Sequence, residues 1–521
     1  MTPALSSSVR TTRFCFRTLT TLVLVLAFLL PASAQTRARL EGRVLDPDGR
    51  PVAGAEVVIS GGTAAPRVTR SEADGRYAIA VPATGTVVVR ASAPGLVADP
   101  RAVALERLTG PLDLVLRVSA LTETLVVSAA QVEMPLSQIA DSVTVIEGAD
   151  LSRRQVHTLG AALRAVPGFT VAQTGGPGTL TSLFPRGGES DFTLVLVDGV
   201  RMNGFGGGLD LSQVPLEDID RVEVVRSPQS ALYGADAIGG VVQILTRQGG
   251  APSARARLEA GSRERRQAAV ATTGSAASWS WSLAADRYED AGFTGTAPAT
   301  GERVTNDDAS QAQVGGTIGW RHAGGTDVRG SARWVATDRG APGPYGTNPV
   351  GNFSGVDRIS RGETDRRSVG LRLVQPWFGA SSRVRQRLEF DVADYDLEYR
   401  SAFGVSESST RRLHGRLQTD ASVSASVGLS AGVEWLRERA TSTYITAGPD
   451  EVPIDRRVIG TFGEARWQAG DRLSVTAGAR AEHIQRDRLA GHPSPFSPRP
   501  VFDTDTVTSV NPKIAAAWLV S

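Results

Sequence analysis

Five histidines are the first residues to consider for metal or acid–base chemistry. They are His157, His322, His414, His483 and His492. None stands in an HExxH or HxxE pattern, whereas zinc hydrolases need ligands spaced so that they share one face of an element. The sequence therefore disfavours a zinc hydrolase and predicts no metal site.

Two glycine-containing segments are the next candidates for chemistry. Residues 188–192, Gly-Glu-Ser-Asp-Phe, contain the serine of a nucleophile elbow but not its closing glycine. Residues 204–208 lack the spacing and the following helix of a dinucleotide-binding loop. We therefore predict that the protein is not an enzyme and holds no cofactor.

The N-terminus reads as an export signal over residues 1–34. Three arginines precede an apolar run at 19–30, and Ala-Ser-Ala at 32–34 supplies a signal-peptidase site. A transmembrane anchor is the alternative, but the run is too short to cross about 30 Å of hydrocarbon. The only cysteine, Cys15, lies in this leader. The mature chain would therefore contain no disulfide and no thiolate metal site.

The charge of the predicted mature chain is nearly balanced. Without the three arginines of the leader it has 53 basic and 54 acidic side chains. Such a balance gives no reason to expect a nucleic-acid partner.

The sequence pattern of residues 37–117 is typical of a compact β-sandwich. Short Val-, Leu- and Ala-rich runs alternate with turn signals such as 46–49, Asp-Pro-Asp-Gly, and 74–75, Asp-Gly. The segment resembles the carboxypeptidase regulatory-like domain, which implies a transthyretin-like sandwich and no peptidase activity. Asp46 and Asp48 are candidate calcium ligands, but turn formation is favoured because no Glu stands at a coordinating spacing.

Residues 135–248 read as a mixed α/β region. We predict a strand at 142–146, then one helix with Asp150 as N-cap that ends at Pro167-Gly168. A strand at 192–197 leads into a tight hairpin at Asp198-Gly199, and two more buried strands follow. The connections between them are rich in glycine.

Residues 251–521 alternate apolar with polar or small residues, most strictly at 473–482. Runs of about 9–11 residues with one apolar face can cross a bilayer as tilted strands. Tight connections such as 324–327 alternate with long ones such as 340–366 and 441–456. We predict about twelve strands of an antiparallel membrane β-barrel, with a soluble β-sandwich as the alternative.

Three separated motifs resemble those of the TonB-dependent outer-membrane receptors. They lie at 184–188, 194–201 and 222–242, in the family's order. The residues that carry the resemblance are Arg186, Gly187, Asp198, Gly199, Arg226, Tyr233, Gly234, Gly239 and Gly240. The family's usual Arg-Gly-Pro is here Arg-Ser-Pro at 226–228. The resemblance implies a mainly β protein: an N-terminal sandwich, an α/β plug at 135–248 and an incomplete barrel at 251–521.

The resemblance also implies partners and sites. Residues 121–130 resemble the family's TonB box and linker, which pair as a strand with TonB, the inner-membrane energy transducer. The implied TonB-binding residues are Glu123, Thr124, Leu125, Val126 and Val127. The plug loops at 173–182 and 202–209 would face the ligand, with Thr174, Gly175, Thr179, Asn203 and Phe205 as candidate contacts. The sandwich and TonB box would lie in the periplasm and the barrel in the outer-membrane bilayer.

The class of ligand and the extent of the chain are further expectations. The sequence of residues 190–203 resembles that of cobalamin receptors most, and ferric siderophore receptors share much of it. An added N-terminal sandwich is instead common in receptors for glycans. The family's barrel of about 22 strands is longer than the chain allows, so we expect a fragment or interrupted gene. The competing function is a surface adhesion or structural protein without transport.

Overall fold

The computed structural model describes residues 37–519 apart from short gaps. The gaps are 47, 62–63, 83–85, 94–95, 99–100, 108–109, 119–124, 127–131, 133, 177, 215, 294, 298–299, 344–355, 380, 403, 444–452, 471 and 492–499. The predicted leader lies outside the described residues. The chain divides into two compact units, Met1–Thr122 and Glu123–Ser521.

The first unit contains a β-sandwich. Its strands are β1 (Arg37–Leu45), β2 (Glu56–Gly61), β3 (Ala64–Arg70), β4 (Arg76–Pro82), β5 (Thr86–Ala93), β6 (Leu96–Val97), β7 (Arg101–Ala104), β8 (Leu114–Val115) and β9 (Arg117–Val118). One sheet has the order β4-β1-β8; the other is β3-β2-β5-β6-β9, with β7 beside β5. Alternate residues such as Leu40, Val57 and Val89 fill one apolar core. The predicted sandwich is confirmed.

Asp46 closes the first turn of the sandwich. Its Oδ1 accepts hydrogen bonds from the main-chain N–H groups of Asp48 at 2.9 Å and Arg50 at 2.8 Å. This is the Asx-turn arrangement, so the carboxylate has a local role. No cluster of three or more potential metal ligands occurs in the part of the chain that the structure describes.

The second unit begins with a mixed domain, the plug. Its elements are β10 (Leu125–Val126), β11 (Met134–Pro135), β12 (Val143–Glu147), α1 (Gly148–Arg153), α2 (Leu159–Leu163), β13 (Phe169–Gln173), β14 (Thr181–Pro185), β15 (Thr193–Val197), β16 (Val200–Arg201), β17 (Ile219–Val225), α3 (Ser230–Tyr233) and β18 (Gly240–Thr246). The central sheet has the order β12-β17-β18-β15-β16, and β15 runs parallel to β18. Helix α2 packs its leucines on the sheet's apolar face.

The predicted single helix after β12 is wrong. Two short helices, α1 and α2, replace it, and Gln155 between them adopts a left-handed φ of 52°. Glu147, not Asp150, is the N-cap of α1, and the Thr158 side chain caps α2 by accepting from the Ala161 N–H. A left-handed residue cannot continue an α-helix, so the apolar pattern is divided between two elements.

The described residues after β18 form one antiparallel sheet of twelve strands, the barrel sheet. Its strands are β19 (Ser253–Ala260), β20 (Arg266–Ala276), β21 (Trp279–Asp290), β22 (Ala309–Arg321), β23 (Asp327–Gly340), β24 (Arg361–Pro376), β25 (Val384–Ser401), β26 (Gly404–Ser422), β27 (Val427–Ser442), β28 (Ile454–Ala469), β29 (Leu473–Arg486) and β30 (Asp505–Trp518). Each strand pairs with its sequence neighbour, and β19 and β30 are the edges. The predicted count of about twelve strands is confirmed.

The barrel sheet is apolar outside and polar inside. Large apolar residues such as Val369 and Ile459 are exposed on one face, whereas Gln418, Glu438 and Arg480 are buried on the other. Period-two alternation in this inverted sense is typical of outer-membrane barrels. The described residues contain no helix of the length and hydropathy needed to cross a membrane.

The two ends of the barrel sheet differ. Residues 322–326, 377–383, 423–426 and 470–472 form short connections at one end. At the other end the connections at 291–308, 341–360, 443–453 and 487–504 are longer, and only those at 261–265 and 402–403 are short. The predicted loops at 340–366 and 441–456 are shorter than expected, because β24 already begins at Arg361 and β28 at Ile454.

Candidate functional site

The plug is joined to the inner face of the barrel sheet by buried ion pairs centred on Arg201. Arg201 Nη1 lies 2.8 Å from Asp236 Oδ2 within the plug. Its Nη2 lies 3.1 Å from Glu434 Oε1 on β27 and donates to the Tyr233 carbonyl at 2.8 Å. From the barrel side, Arg456 on β28 lies 3.2 Å from the same Asp236. We call this cross-linked set the plug clamp: Arg201, Asp236, Glu434, Arg412, Glu438 and Arg456.

The main chain of the plug is held as well as its side chains. Arg412 on β26 donates to the carbonyls of Arg201 at 3.2 Å and Asn203 at 2.9 Å. Arg366 on β24 donates to the carbonyl between them, that of Met202. Glu438 accepts from Arg412 Nε at 2.8 Å, which fixes the guanidinium that reaches the plug. Three consecutive plug carbonyls are therefore bound by barrel arginines.

The electrostatics of the clamp keep its plug residues charged. Burial alone would lower the pKa of Arg201, but Glu434 and Asp236 outweigh it, so the pKa is raised. Burial would raise the pKa of Asp236, but Arg456 and Arg201 hold it below its usual value. Buried charges of this kind persist because they are paired. Separating the plug from the barrel would leave both groups incompletely paired.

Two further residues support this interface. Glu482 on β29 accepts from the Ala235 N–H at 3.0 Å, beside Gly234 with φ of 86°. Lys513 on β30 lies 2.6 Å from Asp141 at the start of the plug. The clamp is therefore one part of a contact that reaches the far edge of the sheet.

The predicted plug-motif residues form turns and close contacts. Asp198 (φ 50°) and Gly199 (φ 92°) make the β15–β16 hairpin, and Asp198 Oδ1 accepts from the Thr246 N–H at 2.9 Å. This predicted hairpin is confirmed by the structure. Gly240 has φ of 136°, and a Cβ there would lie 2.3 Å from the Val225 carbonyl oxygen.

The two motif arginines outside the clamp have local positions. Arg186 is exposed, with φ of 48°, and is followed by Gly187 with φ of 79°. Arg226 Nη1 donates to the Pro167 carbonyl at 3.1 Å. Gly239 packs so that an added Cβ would lie 2.5 Å from Pro185. These residues shape the plug, whereas Arg201 connects it to the barrel.

The two plug loops expected to face a ligand lie at the end of the sheet with the long connections. Near 173–182, Arg339 Nη1 donates to the Gly178 carbonyl at 3.3 Å, and Arg339 is the penultimate residue of β23. Thr174 and Gly175 are exposed, and Thr179 Oγ1 donates to the Gly176 carbonyl at 2.7 Å.

The second loop, 202–209, is anchored by Asn203. The buried Asn203 side chain accepts from the Val195 N–H at 2.8 Å and donates to the Gly207 carbonyl at 2.7 Å. Phe205 is half-buried and lies under the Arg456 guanidinium, 6.0 Å from the ring centroid. The amide of Asn203 is thus engaged within the plug, whereas Thr174 and Gly175 are open to solvent.

The segment expected to be the TonB box is described only in part. Leu125 and Val126 form β10 and pair antiparallel with Pro135 and Met134 of β11. Val126 is fully buried. Glu123, Thr124 and Val127 lie outside the described residues.

Sequence reasoning missed the barrel half of the clamp. Arg412 is one of five consecutive inward-facing residues of β26, all polar and all buried: Thr410, Arg412, His414, Arg416 and Gln418. The sequence shows a polar residue at every second position from 410 to 418, with Leu413, Gly415 and Leu417 between them. It predicts a polar lumen, but not the plug residue that each side chain meets.

Comparisons with known proteins cover the same regions. Family models described as TonB-dependent Receptor Plug Domain and Carboxypeptidase regulatory-like domain match residues 135–241 and 39–117. A third, described as TonB dependent receptor-like, beta-barrel, matches 260–521, half of the chain.

Individual relatives are longer than this chain. The Vitamin B12 transporter BtuB of Vibrio vulnificus (strain CMCP6) is 29% identical over 363 residues, which cover 69% of this chain and 57% of that protein. The ferripyoverdine receptor of the outer membrane of Pseudomonas aeruginosa superposes with a TM-score of 0.61 at 13% identity, over 82% of this chain and 64% of that one. The copper transporter OprC superposes with a TM-score of 0.56 at 17% identity, over 72% of this chain and 60% of that one. The chain thus spans about three-fifths of the length of these relatives.

Proposed function

Because this chain belongs to the TonB-dependent receptors of the outer membrane, a family of non-enzymatic proteins, we propose that it takes up a scarce ligand actively, with the plug as the gate. The observation that carries the proposal is the plug clamp. A buried plug arginine bound to a barrel carboxylate holds the lumen closed at rest, and its contacts must break or rearrange before a ligand can pass.

The proposed cycle begins at the end with the long connections. Ligand binds there to Thr174, Gly175 and Thr179 of one plug loop and to Phe205 of the other. Asn203 keeps its neighbouring loop in shape through its main-chain hydrogen bonds. This end faces the cell exterior in our proposal, since outer-membrane barrels carry their long loops outside and short turns in the periplasm.

Energy enters at the opposite end through the TonB box. We assign this role to Glu123, Thr124, Leu125, Val126 and Val127, which pair as a strand with TonB. The pairing of β10 with β11 involves only two residue pairs. Each main-chain hydrogen bond contributes about 0.5–1.5 kcal/mol net, and burial of the Val126 side chain contributes about 1.5–3 kcal/mol more. Release of this segment therefore costs a few kcal/mol, which pairing with a longer partner strand can offset. The sandwich and TonB box lie in the periplasm in this arrangement.

The test is a proline in β10. Val126→Pro removes a main-chain donor and disfavours strand pairing, so we expect uptake to fall to background while ligand binding to intact cells stays unchanged. Val126→Thr is the matched control, because it keeps the β-branched shape and the N–H group. If Val126→Pro takes up ligand as the control does, energy input through β10 is refuted. If neither wild type nor the control takes up ligand above background, transport is refuted and a surface-binding or structural role is left.

The ligand class is proposed from the vitamin B12 transporter to which the chain is similar. Its similarity to a vitamin B12 transporter makes cobalamin the first candidate, followed by a ferric siderophore, with a glycan third. Equilibrium binding of cyanocobalamin to the purified receptor decides the first. Saturable binding supports cobalamin, and absence of binding to a folded receptor rejects it.

A further inference from the structure

A large chamber lies between the plug and the barrel sheet at the end with the short turns. Its volume is about 1450 Å³, and its lining includes the turns at Gly325, Ser382 and 424–426, together with Met134 and Pro135 of β11. Eleven arginines and six carboxylates line it. The chamber is therefore strongly positive, although the chain as a whole is nearly neutral.

Three of these arginines lie in one row across neighbouring strands, together with two glutamates. Arg329 on β23 stands directly opposite Arg372 on β24, and the row continues through Glu389 and Arg416 to Glu434 on β27. Like charges directly opposite each other destabilise an antiparallel pair. An arginine pair that faces a chamber is compensated if an anion lies against it.

The guanidinium groups of this row retain unused donors. Arg416 is only 7% exposed, yet its Nε and Nη2 are buried without a hydrogen-bond partner among the described residues. Arg372 Nε is also buried without a hydrogen-bond partner, and its ion-pair distance to Glu389 Oε1 is 3.8 Å. Native proteins rarely leave buried donors unpaired, so such donors point to a missing acceptor.

Glu434 on β27, which stands opposite Arg416, forms its ion pairs with other residues. Glu434 is bound by Arg201 and by His414 Nε2 at 3.1 Å, and Arg480 Nη1 lies 2.9 Å from its other oxygen. Arg416 is instead fixed by packing, with its guanidinium carbon 4.4 Å from the centroid of the Phe462 ring. Its planar fork is thus held in place with donors available.

We propose that this arginine chamber binds the oxyanion groups, carboxylate or phosphate, of the ligand that passes between plug and barrel. Guanidinium groups bind both oxyanions through two parallel N–H donors. A carboxylate or phosphate offers two charged acceptor oxygens to these donors, and a neutral sugar does not. The chamber exceeds the usual 300–1,000 Å³ of small-molecule sites, so it suits a large anionic ligand. This inference rests on the proposed uptake function and names its substrate class: an acidic ligand rather than a neutral glycan.

The test is direct anion binding to the purified full-length receptor. Isothermal titration with citrate and with inorganic phosphate is compared for wild type, Arg372→Gln and Arg416→Gln, with sucrose as the neutral probe. The controls are Arg367→Gln and Arg411→Gln on the same two strands, whose side chains are 61% and 66% exposed. Circular dichroism and heat-modifiable gel mobility establish that each variant is folded.

We expect wild type and both controls to bind at least one anion and not sucrose, and each chamber variant to bind roughly tenfold more weakly. Binding of citrate alone identifies a carboxylate ligand, and binding of phosphate alone a phosphate ligand. Equal affinity in chamber and control variants, or no anion binding by wild type, overturns the proposal. If a glutamine variant misfolds, Arg416→Lys takes its place and should weaken binding by less than tenfold, because it keeps the charge but not the fork.

Anion binding needs no energy from TonB, so the two proposals fail separately. Uptake that survives Val126→Pro refutes energy input through the TonB box and leaves the anion result standing. If the wild-type receptor binds no anion, the acidic substrate class is rejected and the proposed transport function is unaffected.

Discussion

Replacing Arg201 by alanine tests the plug clamp. Of the three groups that Arg201 binds, only Glu434 belongs to the barrel, at 3.1 Å. Glu434 keeps His414 and Arg480 as partners, and Asp236 keeps Arg456, so no carboxylate is left unpaired. The loss is therefore that of one charged hydrogen bond across the interface, about 1.5–3 kcal/mol, rather than the larger cost of an orphaned buried charge.

Hydrogen exchange followed by mass spectrometry measures this loss. A plug that undocks more easily by about 1.5–3 kcal/mol exchanges the amides of residues 193–201 roughly ten- to hundredfold faster. Arg201→Lys should give an intermediate rate, since one ammonium cannot span both carboxylates. Arg153→Ala is the control, because Arg153 also lies in the plug and its side chain is 77% exposed. Unchanged protection in Arg201→Ala would show that the clamp does not hold the plug.

Two further predictions concern the sandwich and the plug motif. Tyr77→Phe should destabilise the sandwich by about 1–1.5 kcal/mol in urea, because the Tyr77 hydroxyl donates to the Leu112 carbonyl at 2.7 Å. Burial raises the pKa of Tyr77 above its ordinary 10.0. The wild-type sandwich should therefore keep the contribution of this hydrogen bond below pH 10 and lose it as the pH rises further. The phenylalanine variant should not show that alkaline loss of stability. Gly240→Ala should speed proteolysis of the plug, since its Cβ would meet the Val225 carbonyl oxygen at a positive φ, whereas Gly176→Ala, in open space, should not. Equal proteolysis of the two glycine variants would contradict the steric argument.

Local signals in the sequence predicted the fold well where a short segment decides its own structure. The Asp198-Gly199 hairpin follows from two residues that tolerate positive φ. The strands of the barrel follow from period-two alternation, which the bilayer and lumen impose on every strand. The break at Gln155 has no such signal, because glutamine takes up a left-handed φ there only in the context of the packed plug.

The plug residues and the barrel residues of the clamp could each be predicted from the sequence, but the pairing between them could not. The motif around 194–201 placed Arg201 beside a hairpin, but the partner Glu434 is 233 residues away in sequence. Inward polar residues of β26 and β27 can be read from alternation, yet which of them meets the plug depends on how the sheet curves around it. The three carbonyls held by Arg412 and Arg366 carry no side-chain signal at all.

The central claim is that the plug must move before ligand can pass. Its most direct test joins the plug covalently to the barrel sheet. The Ser282 hydroxyl on β21 donates to the Asp218 carboxylate of the plug, and the only native cysteine is Cys15 in the predicted leader. A receptor with Asp218→Cys and Ser282→Cys can therefore be oxidised to join the two parts by one disulfide, with each single cysteine variant as control. We predict that uptake of labelled ligand stops in the oxidised receptor and returns on reduction. Undiminished uptake through a fully oxidised receptor would contradict the claim that the plug must move.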